Sequence, residues 1–252
     1  MGFCFNCQTL IREMVCTAKL AEVNIGIDFN YKENAFRYSP YFTTDTAQCL
    51  LTISQERMST EKETLQALYP KRSFTYTDAE YNVLYQDIPP ILFQNGVVTF
   101  HGVLIEMNND GYLFTADSGV GKSTHANLWE RYFCGQATII NGDKPLLRIC
   151  DDGLYGYGSP WMGKENIGIN KRVKIKAICF IYRNDNNIIR QIEKDSYVIG
   201  SLIQQTMIMD KGQILLKLFR WYKKCANFVN FYQLGCNTNI DAAVVAYNGM
   251  NS

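Results

Sequence analysis

The segment Asp117-Ser-Gly-Val-Gly-Lys-Ser-Thr124, set between an apolar run and a stretch of helical spacing, constrains this chain more than any other feature. Tyr112-Leu-Phe-Thr-Ala116 reads as a strand, and His125-Ala-Asn-Leu-Trp-Glu-Arg-Tyr-Phe133 reads as a helix. A strand that turns through glycines straight into a helix aims successive backbone N–H groups, and the positive end of the helix dipole, at one spot. Such a spot holds phosphate. Lys122 then reaches the β- and γ-phosphates of a nucleotide and Ser123 offers its hydroxyl to Mg²⁺, while Ser118, Gly119, Val120, Gly121 and Thr124 complete the loop. The full pattern begins with glycine where this chain has Ala116, but the turn glycines 119 and 121 remain. From residue frequencies the core pattern arises by chance in a chain of this length on the order of once in a thousand. A Gly-rich turn with a solvated lysine is therefore the weaker reading, and nucleotide binding is expected.

The chain of 252 residues is 47% hydrophobic and 19% charged, which excludes a disordered or fibrous protein and leaves room for a sizeable core. Its 25 Lys+Arg against 24 Asp+Glu set up no long-range field, so a general nucleic-acid or membrane-surface binder is disfavoured and phosphate recognition must be local. Nine cysteines, an odd number, several of them inside apolar runs such as Ala177-Ile-Cys-Phe180, fit reduced thiols in the cytosol. Cys4-x-x-Cys7 has the form of half a zinc or redox site, but no second such pair exists and the only histidines are His101 and His125. Met1-Gly2 invites a lipidation reading that Asn6 opposes, because that motif wants Ser or Thr there. No apolar run approaches the roughly 20 residues that span a bilayer, and no signal peptide is evident. A cytoplasmic protein is expected.

Along the chain, 15–20, 23–27, 35–38 and 49–53 read as short antiparallel strands. Residues 55–70 read as a loop or surface helix, and 77–93 as a helix with Tyr81, Leu84, Tyr85 and Ile88 on one face, interrupted at Pro89-Pro90. These form a small β-rich N-terminal module with a helical connector over 1–95, and a core follows over 96–252. There, 97–107 reads as one strand, Asn108-Asn-Asp-Gly111 as a tight turn and 112–116 as its antiparallel neighbour. Further strands are expected at 137–140, 145–150, 154–158, 174–182 and 228–234, with helices at 196–209, 212–225 and 241–247. No internal repeat is evident.

His101-Gly-Val-Leu-Ile105 ahead of the turn, the loop Ala116-Asp-Ser-Gly-Val-Gly-Lys-Ser123, and Asn141-Gly-Asp143 together resemble the catalytic domain of HPr kinase/phosphorylase. More broadly they resemble the phosphoenolpyruvate carboxykinase-like P-loop fold, in which a strand hairpin precedes the loop. Leu128-Trp129, Asn141-Gly-Asp-Lys-Pro145, Gly158-Ser-Pro-Trp-Met-Gly-Lys164 and Ala246-Tyr-Asn-Gly-Met250 are similar to a group of small HPr kinase-like bacterial proteins. The resemblance is strong over about 96–182 and thins toward both ends. It implies an α/β protein: a phosphoenolpyruvate carboxykinase-like P-loop core with a mixed sheet and flanking helices, behind the β-rich module. It also implies an ATP- and Mg²⁺-dependent phosphotransferase acting on an alcohol group. HPr kinase/phosphorylase phosphorylates a protein serine, and related small kinases act on peptides or small hydroxyl compounds.

Residue by residue, the resemblance makes Lys122 and Ser123 the phosphate and magnesium ligands, and His101 the histidine beside the transferred phosphate. An ordinary strand histidine is the competing reading of His101. His125, in the first turn of the loop's helix, can face the nucleotide or the domain surface. The family usually has two adjacent aspartates here, a base that takes the hydroxyl proton and then a magnesium ligand. This chain has Gly142-Asp143, so the metal aspartate survives and the base is missing; a one-residue slip would instead make Asp143 the base, beside Lys144. Asn141 and Lys144-Pro145 favour the first register. Asp117, Glu165 and Asp151 are acids that can substitute, and positioning with charge stabilisation supplies most of the catalysis in such reactions.

Lys164, on a Gly-containing loop after a strand, can meet the γ-phosphate or the acceptor, or simply lie on a surface turn pinned by Trp161. In Lys171-Arg-Val-Lys-Ile-Lys176, alternation puts Lys174 and Lys176 on a solvated face and Ile175 and Ala177 on the other. Leu215, Leu218, Phe219 and Tyr222 form a helical stripe that suits packing on the core better than lying on a membrane.

The leading expectation is a kinase transferring the γ-phosphate of ATP to a serine-like hydroxyl of a protein, peptide or small molecule. The alternative is a catalytically degenerate nucleotide-binding regulatory module, motivated by Gly142. A carboxykinase acting on oxaloacetate is disfavoured, since those enzymes have much longer chains. The expected partners are the nucleotide and an unidentified hydroxyl-bearing acceptor, with no nucleic acid and no membrane. HPr kinases form rings, which raises a homo-oligomer, although the contacts that build those rings cannot be traced in the sequence.

Overall fold

The structure, a computed structural model, describes residues 15–208 and 211–252. Met1-Gly2, Cys4, Asn6 and Cys7, on which the lipidation and metal readings turn, lie outside them. The chain divides into two compact units, Met1–Ile88 and Pro89–Ser252, where the sequence reading set the boundary at 95/96. The architecture is mixed α/β, with a mixed sheet and helices in each unit.

In the first unit β1 (Val15–Leu20) and β2 (Val23–Asp28) pair antiparallel across Ala21 and Glu22, both left-handed with φ of 47° and 67°. Two such residues match the right-handed twist of the strands. The expected strand at 35–38 is instead part of helix α1 (Lys32–Tyr38), because Asn34, Ala35 and Tyr38 recur at the spacing of one buried helical face. Buried Glu80 accepts from the N–H groups of Asn30 and Tyr31 at 2.6 and 3.2 Å and from Asn34 Nδ2 at 2.8 Å, which fixes where α1 starts. Next come β3 (Phe42–Thr43), antiparallel to β1, and β4 (Cys49–Thr52), which runs parallel to β2 rather than antiparallel. Helix α2 (Gln55–Leu68) starts at Ser54, whose hydroxyl accepts from the Arg57 N–H at 3.2 Å. Helix α3 (Tyr76–Gln94) holds the division between the units and runs through Pro89 and Pro90, where interruption is expected. A proline's φ of about −65° is itself helical, so the helical conformation continues while two N–H donors are lost from its ladder.

The second unit is built on β5 (Val97–Thr99), β6 (Val103–Met107), β7 (Asp110–Thr115), α4 (Lys122–Phe133), β8 (Ala137–Asn141), β9 (Leu146–Cys150), β10 (Gly153–Tyr157) and β11 (Arg172–Arg183). It continues with β12 (Ile188–Ile192), which the sequence reading lacks, then α5 (Ser196–Gln204), α6 (Lys211–Cys225), β13 (Asn230–Cys236) and α7 (Asp241–Asn251). The strands lie in the order β5-β9-β10-β11-β7-β6-β8, with β13 pairing with both β11 and β12. β6 and β7 form the expected antiparallel hairpin, its turn residues Asn108 and Asn109 both at positive φ. β7, β11 and β13 are parallel, so their C-terminal ends open at one edge of the sheet.

Alternation along the strands sorts the core onto two faces. Ile105, Tyr112, Phe114, Cys179 and Leu234 pack with Trp129 of α4 and Ala242 of α7. Leu104, Leu113, Ile178 and Phe231 pack with Leu202 of α5 and with Leu218 and Tyr222 of α6. Each buried leucine, isoleucine or phenylalanine among them contributes about 1.5–3 kcal/mol. The α6 stripe is narrower than expected, since Leu215 is 50% exposed. Lys174 and Lys176 are exposed while Ile175 and Ala177 are buried, as the alternation requires. Among the described residues no helix is long and apolar enough to cross a membrane, and the cysteines are free thiols.

The expected single strand at 97–107 breaks at Phe100-His101-Gly102. The Phe100 N–H donates to Pro145 O and the Gly102 N–H to Asp143 O, both at 3.0 Å. A Cβ on Gly102 would lie 2.7 Å from Phe114 O, so this bend needs glycine. His101 is thereby carried out of the sheet.

Candidate functional site

The site begins where β7 ends. Ala116 and Asp117 leave the strand, Gly119 and Gly121 take φ of 81° and 128°, and α4 starts at Lys122. Only glycine holds such angles without strain, and nothing lies within 4 Å of where a Cβ would stand on either, so backbone conformation and not crowding selects them. The Val120 N–H donates to Asp117 O at 3.3 Å and the His125 N–H to Gly121 O at 2.9 Å, which closes the loop onto the helix. Lys122 is buried and curls back, its ammonium donating to Ala116 O at 2.8 Å and Asp117 O at 3.3 Å. Burial lowers its pKa; Asp143 and Asp117 favour the charged form and Lys144 opposes it.

A residue that sequence reasoning missed props the loop from outside. Arg183, the last residue of β11, donates to Gly119 O at 2.6 Å and Val120 O at 3.2 Å. Those two carbonyls are thus held toward β11. Its one sequence signal is a cationic side chain directly after a buried parallel strand, where ligands gather in open α/β sheets. Between the loop and the ends of β11 and β13 lies a cavity of about 550 Å³, lined by Gly119, Thr124, His125, Arg183, Asp185 and Asn237 among others. That volume falls within the usual range for small-molecule sites, about 300–1,000 Å³.

His125 is not at the domain surface; it borders the cavity beside the loop. It is buried under α4, with its ring edge-on to Phe114 at 4.8 Å and its Nε2 accepting from Trp129 Nε1 at 3.0 Å. Burial pushes its pKa down to about 4, and Nδ1 has no partner among the described residues.

Beside the loop, Asn141 shapes the turn after β8. Its Oδ1 accepts from the N–H groups of Asp143 and Lys144 at 3.0 and 2.6 Å, while its Nδ2 donates to Ser159 O and Oγ at 3.2 and 3.1 Å. Asp143 Oδ1 takes the Lys144 ammonium at 2.8 Å and faces His101 Nε2 at 3.6 Å. The second distance is too long for a hydrogen bond. Burial, then the charges of Lys144 and Lys122, lower the pKa of His101, while a hydrogen bond to Gln205 and the charge of Asp143 act the other way. The structure therefore gathers Lys122, His101, Asp143 and Lys144 into one electrostatic cluster.

The other sequence candidates sort by position. Gly163, at φ 73°, lies so close to Asp143 that a Cβ on it would stand 2.8 Å from Asp143 Cβ and 3.2 Å from its Oδ2. Lys164 is the next residue, with its side chain exposed. Ser123 and Thr124 lie in the first turn of α4, and Ser118 is exposed on the loop. Asp117 Oδ1 accepts from Gln205 Nε2 at 3.3 Å. Glu165 is exposed on the loop of Lys164, while Asp151 lies in the β9–β10 turn, at the end of β9 away from Pro145. That is about 17 Å of strand from the cluster. A Cβ on Gly142 would meet Ile167 O at 3.2 Å and Met162 O at 3.4 Å, so a larger residue fits there only by moving backbone.

Magnesium suits hard oxygen ligands, one or two of them from protein alongside phosphate oxygens. Asp143 Oδ2, kept clear by the glycine at 163, and the Ser123 hydroxyl are oxygens of that kind. Among the described residues no cluster of three His, Cys, Asp or Glu side chains forms an all-protein metal site.

In comparisons with known proteins, no family model matches the chain and no curated protein matches it. Among solved structures, the HPr(Ser) kinase/phosphatase from Coxiella burnetii overlaps 61% of this chain and 93% of its own, at 11% identity and a TM-score of 0.35. A distant structural neighbour is thus a kinase/phosphatase.

Proposed function

We propose that this chain is an ATP- and Mg²⁺-dependent cytoplasmic kinase, on a phosphoenolpyruvate carboxykinase-like P-loop core, that phosphorylates a serine-like hydroxyl of a protein, peptide or small molecule. One observation carries the reading: a glycine-shaped loop opens onto a helix whose buried lysine, Lys122, feels the charge of Asp143, with His101 against that same carboxylate. Loop N–H groups and the buried Lys122 bind and orient the phosphates, and Lys122 supplies positive charge to a transferring phosphoryl group in a site where it acts strongly, while Lys144 holds Asp143 in place. Ser123 Oγ and Asp143 Oδ2 would hold Mg²⁺, which when bound neutralises charge on the phosphate oxygens. Arg183 keeps the loop in its phosphate-binding shape.

The degenerate nucleotide-binding module has its own supporting observation. Gly142 stands where the resembling kinases have a carboxylate, and Lys144 already pairs with Asp143. Calorimetry with ATP and Mg²⁺, alongside ADP release against serine-containing acceptors and Lys122→Ala as control, separates the two. Binding with acceptor-dependent ADP release supports the kinase; binding without turnover supports the module. Absence of binding removes both.

A further inference from the structure

The phosphate loop divides the site into two sides. β7, which feeds the loop, lies between β6 and β11, so the order across the open edge of the sheet is β13, β11, β7, β6, β8. His101, just before β6, and Asp143, just after β8, belong to one side. The cavity of about 550 Å³ belongs to the other, with Ile181 and Arg183 of β11 and Cys236 of β13 in its wall and Thr124 of α4 lining it from the loop. Lys122 reaches the β- and γ-phosphates of a nucleotide and feels the charge of Asp143, so the γ end of a triphosphate lies toward Asp143. Its α end, and the sugar that follows, then pass Thr124 into the cavity, which has room for a sugar and a base.

Two segments build the far wall, the turn after β11 and the loop after β13, and hydrogen bonds fasten one to the other. The Asn184 N–H donates to Cys236 O at 3.0 Å, Asn237 Nδ2 to Asp185 O at 2.7 Å and the Asn237 N–H to Asn187 Oδ1 at 3.0 Å. Asn184 Nδ2 donates to Asn186 O at 2.9 Å, and Asn237 Oδ1 accepts from the Asn239 N–H at 2.9 Å, so both amides are engaged within the wall. The Asp185 carboxylate is not: the residue is exposed in the wall, and among the described residues its carboxylate accepts no hydrogen bond and pairs with no cation. A carboxylate only accepts, so its ligand must bring donors. The 2′ and 3′ hydroxyls of a ribose are two adjacent donors, placed directly after the α-phosphate, and an acid beyond a strand end takes such hydroxyls in α/β nucleotide sites. We propose that Asp185 accepts from the ribose hydroxyls of the bound nucleoside triphosphate, so that the cavity selects nucleotides carrying them. The inference rests on the reading above that the loop binds a nucleoside triphosphate. Arg183, in the same wall, offsets the charge that Asp185 brings near the phosphates.

The test is calorimetry on the full chain with Mg²⁺ and three probes: ATP, 2′,3′-dideoxy-ATP and inorganic tripolyphosphate. The wild type should bind ATP about tenfold more tightly than the dideoxy compound. Asp185→Ala should bind ATP about tenfold less tightly than the wild type does, and the other two probes equally well. The turn survives this substitution because its bond runs through the Asp185 carbonyl and not the carboxylate, and unchanged tripolyphosphate affinity shows that the loop is intact. Asp185→Asn keeps one acceptor oxygen and should fall between; it decides on the same criteria if the alanine variant loses tripolyphosphate as well. Equal wild-type affinity for ATP and the dideoxy compound overturns the assignment. So does a loss in Asp185→Ala that is the same for both, which places Asp185 on the base, or tighter ATP binding by that variant, which shows only relief of charge repulsion. ATP binding that depends on Lys122 but not on Asp185 removes the assignment and leaves the nucleotide reading standing. If the wild type binds neither ATP nor tripolyphosphate, the nucleotide reading fails and the assignment fails with it.

Discussion

Acidification from pH 8 to pH 5 should weaken the second unit through one imidazole, that of His125. In the folded chain burial holds this ring neutral, with its pKa pushed from 6.5 down to about 4. Between those values the unfolded chain carries a proton that the folded chain lacks, so stability falls as pH drops below about 6.5 and the loss is complete near 4. Each pH unit inside that window costs about 1.4 kcal/mol, so pH 5 costs about 2 kcal/mol relative to pH 8. For a unit of this size that is a Tm change of about 4–8 °C. Trp129, Trp161 and Trp221 all lie in the second unit, so tryptophan fluorescence reports its unfolding. Comparison with His125→Gln isolates the effect, because glutamine does not titrate yet can still accept from the Trp129 indole. Carboxylates and His101 contribute equally to both proteins and cancel. The wild type should lose about 2 kcal/mol more than the variant between pH 8 and pH 5. Parallel pH profiles for the two proteins would refute the claim that a neutral buried imidazole is built into α4.

Lys122→Ala should weaken ATP binding about 10- to 100-fold by calorimetry, the equivalent of about 1.5–3 kcal/mol of charge-assisted hydrogen bonding, and abolish ADP release. Gly142→Asp should lower stability by about 1 kcal/mol, since its Cβ presses on the Ile167 carbonyl, and should leave kcat no higher; a clear rise in ADP release would show that a missing carboxylate limits the wild type. Arg183→Met should weaken ATP affinity about tenfold while changing Tm by only about 2 °C, because its two bonds go to the loop and not to the core. Gly163→Ala should lose about 1–2 kcal/mol in chemical unfolding and most of any turnover, because φ of 73° strains alanine and its Cβ would push Asp143 aside.

What was readable from the chain divides along sequence separation. The phosphate loop is contiguous: the glycines that need positive φ, the lysine and the helix that receives them are neighbours, so local chemistry alone points to it. The β6–β7 hairpin is legible for the same reason, through Asn108 and Asn109 at its turn. Mistakes arose where packing overrode local preference. The aromatic, β-forming residues of 35–38 fold as α1 because distant Glu80 collects the N–H groups at its start. The run 97–107 looks like one strand until Pro145 and Asp143 draw Phe100 and Gly102 into a bend.

The candidate site follows the same division, and its chemistry shows why residue identity alone falls short. His101 can be singled out from sequence, yet whether its Nε2 gives or takes a proton depends on Gln205, 104 residues further on, and on Asp117 in the loop. Gln205 has no pattern around it to betray a role; it is one polar residue past a helix end. Lys144 reads as a register mark for the Gly142-Asp143 pair, but in space its ammonium neutralises Asp143 and raises the positive charge around His101. The missing carboxylate at 142 and the lysine at 144 act in one direction. Both make the surroundings of His101 less negative, the same direction in which burial and the charges of Lys144 and Lys122 move its pKa.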